Sequence, residues 1–159
     1  MYFRNITSLV LFMALISMQS VKASHYMGGE ISYEHISGND YKIRLKIIRD
    51  CSGVPLGTTI PIEISSPGAQ NTTITLNRVS VTDVTQLCPG QQSKCASPNV
   101  GLFGSEEHIF EATRSFPPLA NNASYTLALT GSCCRNNAIT NLQNPASNQM
   151  YIFTTLHPN

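Results

Sequence analysis

Polar and apolar residues alternate with period two along much of the chain, and helical periodicity is scarce. Residues 41–47 give the clearest run. They place four apolar side chains on one face and three basic ones on the other: Tyr41, Ile43, Leu45 and Ile47 against Lys42, Arg44 and Lys46. Alternation of this kind predicts a β-strand with one buried face.

Residues 30–35 alternate in the same sense, and residues 36–40 between the two runs contain Gly38-Asn39-Asp40, which is typical of a turn. The two runs therefore predict an antiparallel hairpin. Its register aligns acids with bases and apolar residues with each other: Glu34 with Lys42, Ser32 with Arg44, Glu30 with Lys46, Tyr33 with Ile43, and Ile31 with Leu45. A slip of one residue would turn charges toward the core.

Further strands are predicted over residues 59–64, 72–76, 78–84, 107–113, 125–130 and 149–156. We expect 72–76 to pair with 78–84, and 107–113 with 125–130. Pro61 lacks an amide donor, so we place it at an edge or facing outward. Residues 87–104 predict a long ordered loop pinned by a disulfide. Many short strands separated by Gly, Pro and Asn turns indicate an all-β fold, an immunoglobulin-like β-sandwich braced by disulfides.

The first residues have the pattern of an export signal. Arg4 precedes an uncharged apolar run over residues 8–18, and Val21-Lys22-Ala23 ends in the small residues at which a signal peptidase cuts. Residues 1–23 are therefore predicted to be a cleaved Sec signal peptide, and residues 24–159 the β-sandwich domain. The apolar run is shorter than the roughly 20 residues that span a bilayer, so we expect no membrane insertion after cleavage.

Charge excludes one class of partner. Two of the 10 basic residues, Arg4 and Lys22, leave with the leader, so 8 basic residues face 9 acidic ones. A nearly neutral domain has no electrostatic footprint for nucleic acid or for an anionic membrane surface.

Five cysteines remain as disulfide candidates: Cys51, Cys88, Cys95, Cys133 and Cys134. Behind an export signal, disulfides are the expected state, and an odd number leaves one thiol over. Two pairings are considered, Cys88 with Cys95 inside the long loop, and Cys51 with Cys133 or Cys134. Connectivity does not follow from the sequence.

Patterns that would carry catalysis are weak. Cys133-Cys134-Arg135 is a hypothetical thiol nucleophile, but it lacks the Cys-x-x-Cys spacing of dithiol oxidoreductases. The histidines are dispersed without zinc-ligand spacing, and the acids, among them Asp83, Glu106, Glu107 and Glu111, form no calcium loop. His35 and Glu34 point to opposite faces of a strand, which opposes acid-base work. We therefore expect no enzyme, no catalytic or metal site and no cofactor.

Three stretches carry a resemblance to a known family: residues 24–33 (SHYMGGEISY), residues 39–53 around Arg49-Asp50-Cys51, and residues 132–142 (SCCRNNAITNL). They are similar to an N-terminal domain of large secreted Bacteroidetes surface proteins. Those proteins often carry immunoglobulin-like or PKD repeats and end in a gliding-motility-associated or type IX sorting domain. The resemblance implies a surface or adhesion-related role. It also implies that residues 24–159 are an N-terminal fragment, so export beyond the periplasm does not follow from the leader alone.

Three functions are carried forward. The first is a non-catalytic structural or adhesive module of a secreted or cell-surface protein, whose partners are other domains or proteins at the cell surface. The second is a carbohydrate-binding module, although a chain with no Trp offers few stacking residues. The third is a thiol-dependent enzyme using Cys133 and Cys134.

Overall fold

The chain is an antiparallel all-β protein, seen here in a computed structural model that describes residues 26–99, 101–132, 135 and 139–158. The predicted signal peptide, Cys133 and Cys134 lie outside the described residues. Within the part that is described, no helix is both long and apolar enough to cross a bilayer. The strands are β1 (Tyr26–Ser37), β2 (Asp40–Asp50), β3 (Thr59–Ser65), β4 (Thr72–Asp83), β5 (Ser105–Ser115), β6 (Tyr125–Ser132) and β7 (Met150–Leu156).

The predicted hairpin of β1 and β2 is confirmed in every pair. Glu34 lies opposite Lys42 and Glu30 opposite Lys46, and both pairs form salt bridges, at 3.2 and 2.6 Å. The turn is shorter than expected because β1 continues to Ser37, and Gly38 adopts the positive φ of 54° that lets two residues reverse the chain.

All seven strands join one sheet in the order β1-β2-β5-β4-β3-β6-β7. The two edge strands, β1 and β7, approach each other, and the Tyr33 hydroxyl on β1 donates to the Thr155 carbonyl on β7 at 3.2 Å. The predicted all-β fold braced by a disulfide is confirmed. An arrangement of these strands as the two layers of an immunoglobulin-like sandwich stays a prediction.

The buried, inner face of the sheet carries one hydrophobic core. Every strand contributes to it, and its most deeply buried side chains are Ile43, Leu45, Ile47, Ile62, Leu76, Phe110, Phe116, Leu127 and Leu156. The alternating isoleucines of β3, Ile60, Ile62 and Ile64, are all buried. Each fully buried aliphatic side chain stabilises the fold by roughly 1.5–3 kcal/mol. This gain explains why the alternating apolar residues of the strands lie on the inner face.

Two predicted pairings are wrong. Residues 72–76 and 78–84 do not form a hairpin, because Asn77 continues the strand and pairs on both sides, with Thr59 and with Glu111. A bulge between Arg78 and Ser80 accommodates the irregularity. Likewise β5 does not pair with β6: β5 lies between β2 and β4, while β6 lies between β3 and β7.

Pro61 is exposed on a strand in the middle of the sheet. The pairing of β3 with β6 covers only Glu63 to Ser65, so Pro61 lies beyond the paired segment on that side. The outward-facing position expected for it is confirmed, while the alternative of an edge strand is not what the sheet contains.

Candidate functional site

A buried ionic cluster lies on the inner face of the sheet, where the end of β2 pairs with the start of β5. Arg49 continues the inward alternation of Ile43, Leu45 and Ile47, and only 5% of its surface is exposed. Its strand partner on β5 is Glu106, and both Arg49 Nε and Arg49 Nη2 approach Glu106 Oε1, at 2.7 and 2.6 Å. His108 Nε2 meets the same oxygen at 2.7 Å, and His108 is 2% exposed.

The bonds in this cluster determine the charge state of Glu106. Burial raises the pKa of the carboxyl, but the hydrogen bonds from His108 and Arg49 and the charge of Arg49 outweigh it, so the pKa lies below its usual range. The remaining arm of the guanidinium, Arg49 Nη1, donates to the Gly53 carbonyl at 2.7 Å. The cluster therefore ties β2, β5 and the turn after β2 together as a fixed ion pair.

A disulfide between Cys51 and Cys95 closes this end of the molecule, with the two Cα atoms 5.1 Å apart. Cys51 comes directly after the last residue of β2, and Cys95 lies in the loop between β4 and β5. The predicted pinning of that loop is confirmed, but both pairings considered from the sequence are wrong for these residues. Cys95 is joined to Cys51 rather than to Cys88, which is exposed and free.

The loop packs against the sheet through a second polar network. Asp83, the partner of Glu106 on β4, accepts hydrogen bonds from the hydroxyl of buried Ser93 and from both the hydroxyl and the backbone N–H of Thr85. The Ser93 bond, followed by the Thr85 bonds, lowers the pKa of Asp83. This network holds the loop at the same end of the sheet as the disulfide.

Three atoms at this end have the spacing of a metal site. Donor atoms of Cys51, Cys95 and Glu106 lie within 4.8 Å of one another. Metals bind cysteine as thiolate, and here the two sulfurs are bonded to each other. In the oxidised protein the group therefore acts as a brace.

A different kind of surface lies on the outer face of the sheet, over β4, β3, β6 and β7. Strand register aligns one residue from each strand in a row: Thr73, Glu63, Ala128 and Phe153. Phe153 and Tyr151, two residues apart on β7, are each 59% exposed, and their ring centroids are 5.4 Å apart with 33° between the planes.

On the same face of the sheet, Glu63 lines a pocket. Its two carboxylate oxygens accept from Asn71 Nδ2 at 2.6 Å and from the Thr130 hydroxyl at 3.4 Å. The pocket has a volume of about 280 Å³ and is lined by Pro61, Ile62, Glu63, Asn71, Thr73 and Thr130. We call this surface, from Thr73 to Tyr151 and Phe153, the outer aromatic face.

The two halves of the outer surface differ in charge. On β1, β2 and β5 the outward bases are paired with acids, as in Arg44 with Glu111 at 2.6 Å. Over β3, β6 and β7 the outward residues are hydroxylic, aromatic or small, and Glu63 is the charged residue in the row. The half formed by β1, β2 and β5 therefore has its basic side chains paired with acids, whereas the half formed by β3, β6 and β7 offers aromatic rings and hydrogen-bonding groups.

Neither the buried cluster nor the outer aromatic face was predicted from the sequence. Arg49 carried a signal, since it falls on the apolar face of the β2 alternation. Tyr151 and Phe153 carried another, being spaced by two in a predicted strand. His35, by contrast, is exposed, stacks obliquely on Tyr41 and contacts the Gly38 carbonyl at 2.8 Å, away from both sites. The thiol-enzyme hypothesis on Cys133 and Cys134 falls outside the described residues.

No family model matches this chain, and comparison with curated proteins and with solved structures found no match either. The resemblance to a Bacteroidetes surface domain stays a prediction.

Proposed function

We propose that this chain is a non-catalytic binding module of an exported protein, which supplies an adhesive or structural surface at the cell exterior. The observation that carries the proposal is the contrast between the buried ionic cluster and the outer aromatic face. The ionisable groups of the cluster, Arg49, Glu106 and His108, are buried and bonded to one another. The large side chains of the outer aromatic face, Tyr151 and Phe153, are exposed.

Catalytic groups need access to a substrate and a free proton or lone pair directed at it. Glu106 Oε1 already accepts from Arg49 and His108. The Asp83 oxygens are likewise occupied by Thr85 and Ser93. These contacts favour a structural role for the acids and support a module that works by binding.

The disulfide supports the exported location. Such bonds persist in oxidising compartments and are rare in a reducing cytosol. Cys51 and Cys95 are far apart in sequence and join a strand to a loop, which is the arrangement of a stabilising crosslink. This fits the leader predicted over residues 1–23.

Fractionation of the native organism with antibodies against the folded domain tests the proposal. We expect the protein in the culture medium, or at the surface of intact cells where added protease removes it, with a cytoplasmic marker protected in the same sample. Purified domain should also bind intact cells or matrix in a saturable way. Recovery solely in the cytoplasm, with Cys51 and Cys95 reduced, contradicts the proposal.

A further inference from the structure

We infer that the outer aromatic face binds neutral oligosaccharides, with the sugar rings stacked on Tyr151 and Phe153 and their hydroxyls bonded to Glu63 and its neighbours. This inference rests on the proposed function and names the ligand class of that surface. It follows from three properties of the face: its stacking rings, its hydrogen-bonding groups and its charge.

The stacking groups are two exposed rings held on a rigid strand. Aromatic side chains are large contact surfaces, and a protein that leaves two of them more than half exposed forgoes the stabilisation that their burial would give. Tyr151 and Phe153 are spaced by two, so they project from one face of β7, and their rings lie 33° from coplanar. Exposed aromatic rings offer flat apolar surfaces on which the C–H faces of pyranose rings can stack.

The hydrogen-bonding groups lie within reach of a stacked sugar. Phe153, Ala128 and Glu63 are in register on neighbouring strands, so about 10 Å separates the ring-bearing strand from the carboxylate-bearing one. Ala128, which is small and buried, forms the floor between them. An oligosaccharide stacked on the rings therefore extends over Ala128 toward the pocket.

Glu63 retains capacity for such a ligand. A carboxylate offers about four acceptor positions, and the described contacts of Glu63 use one on each oxygen, from Asn71 and from Thr130. Sugar hydroxyls are donors that a carboxylate accepts, and Thr73 and Thr130 can both donate and accept. Charge favours neutral over anionic oligosaccharides, because the lining of the pocket contains one acidic residue and no basic one.

Affinity electrophoresis of the purified domain tests this inference, using native gels that contain a neutral β-glucan, xylan or mannan, followed by calorimetric titration with the matching hexasaccharide. We expect retardation in at least one neutral polysaccharide. Phe153→Ala and Tyr151→Ala should each lower the affinity for the hexasaccharide by about tenfold or more. Glu63→Gln should also lower this affinity while leaving both rings in place.

A matched control is Phe103→Ala, since Phe103 is 60% exposed but lies in the loop at the disulfide end. It should bind like the wild type. Phe153→Leu keeps an apolar side chain and removes only the flat ring, so a loss of binding in this variant with unchanged thermal unfolding isolates stacking from folding.

Three results would overturn the inference: no retardation of folded wild-type protein by any neutral polysaccharide, retardation only by an anionic polysaccharide such as polygalacturonate, or a dimer in solution that Phe153→Ala dissociates. Each of these leaves surface location intact, so failure here is distinguishable from failure of the proposed function, which the fractionation decides.

Discussion

Arg49 and Glu106 lie directly opposite each other on β2 and β5 and form an ion pair of 2.6 Å on the inner face of the sheet. Five residues earlier on β2, Arg44 makes an equally short pair with Glu111, its own partner on β5, but on the outer face. The same two strands thus contain one buried and one solvent-facing pair of identical chemistry, which separates the effect of burial from the effect of pairing.

Replacing the buried acid should be far more damaging than replacing the exposed one. In Glu106→Gln the buried guanidinium of Arg49 loses its counter-charge, and we expect a loss of about 3 kcal/mol in the free energy of unfolding. Glu111→Gln should lose less than about 1 kcal/mol, because solvent screens the Arg44 pair. Urea unfolding followed by circular dichroism measures both. Equal losses in the two variants would contradict a structural role for the buried cluster.

Acid should destabilise the protein through Asp83 and Glu106. Both have a folded-state pKa below the ordinary value, so their stabilisation is complete above the unfolded-state pKa and is lost as pH falls through the folded-state value. We expect the free energy of unfolding to decline as the pH drops below about 4. The Asp83→Asn, Glu106→Gln double variant should be less stable at neutral pH and should show a flatter acid limb. An unchanged acid slope in that variant would rule out these two carboxyls as its source.

The disulfide should contribute a large share of stability. Its two cysteines are separated by 44 residues, for which the chain-entropy model gives about 4 kcal/mol. We expect the Cys51→Ser, Cys95→Ser double variant to melt well below the wild type and to become insensitive to added reductant. Cys88→Ser is the matched control, because Cys88 is exposed and free, and it should melt like the wild type. A melting temperature as strongly lowered by Cys88→Ser would contradict the assigned pairing.

The loop between β4 and β5 should tolerate no added bulk where it crosses itself. A Cβ at Gly101 would overlap the backbone of Ser93 and Lys94, whereas a Cβ at Gly28 would meet nothing within 4 Å. We expect Gly101→Ala to destabilise the protein by about 1–3 kcal/mol and Gly28→Ala to change stability little. Thermal unfolding of the two variants compares them, and a neutral Gly101→Ala would show that the loop is loosely held.

Local patterning predicted one pairing of neighbouring segments correctly, the β1–β2 hairpin. The β1–β2 register could be predicted because two demands agree on it, the inward apolar set and the outward acids facing bases, as Glu30 and Lys46 illustrate. At Asn77 local preference failed. A residue that favours turns continues β4 there, since pairing on both sides outweighs its weak strand preference.

Contacts between residues that are far apart in the chain could not be predicted from the sequence, for a physical reason. The partner of Arg49 and the partner of Cys51 both depend on β5 lying beside β2, a choice made by the whole core. The outer aromatic face depends in the same way on β6 lying between β3 and β7. Alternation along a strand is consistent with the faces that Arg49 and Phe153 occupy, but it contains no information about which strand lies next to theirs.

The most direct test of this account is peptide mapping of the protein purified from its native host under non-reducing conditions, after alkylation of free thiols in denaturant. The account predicts one crosslinked species joining the Cys51 peptide to the Cys95 peptide, with Cys88 recovered in alkylated form. A Cys88–Cys95 link, or a link from Cys51 to Cys133 or Cys134, would contradict it, because the loop would then lack its covalent link to the end of β2.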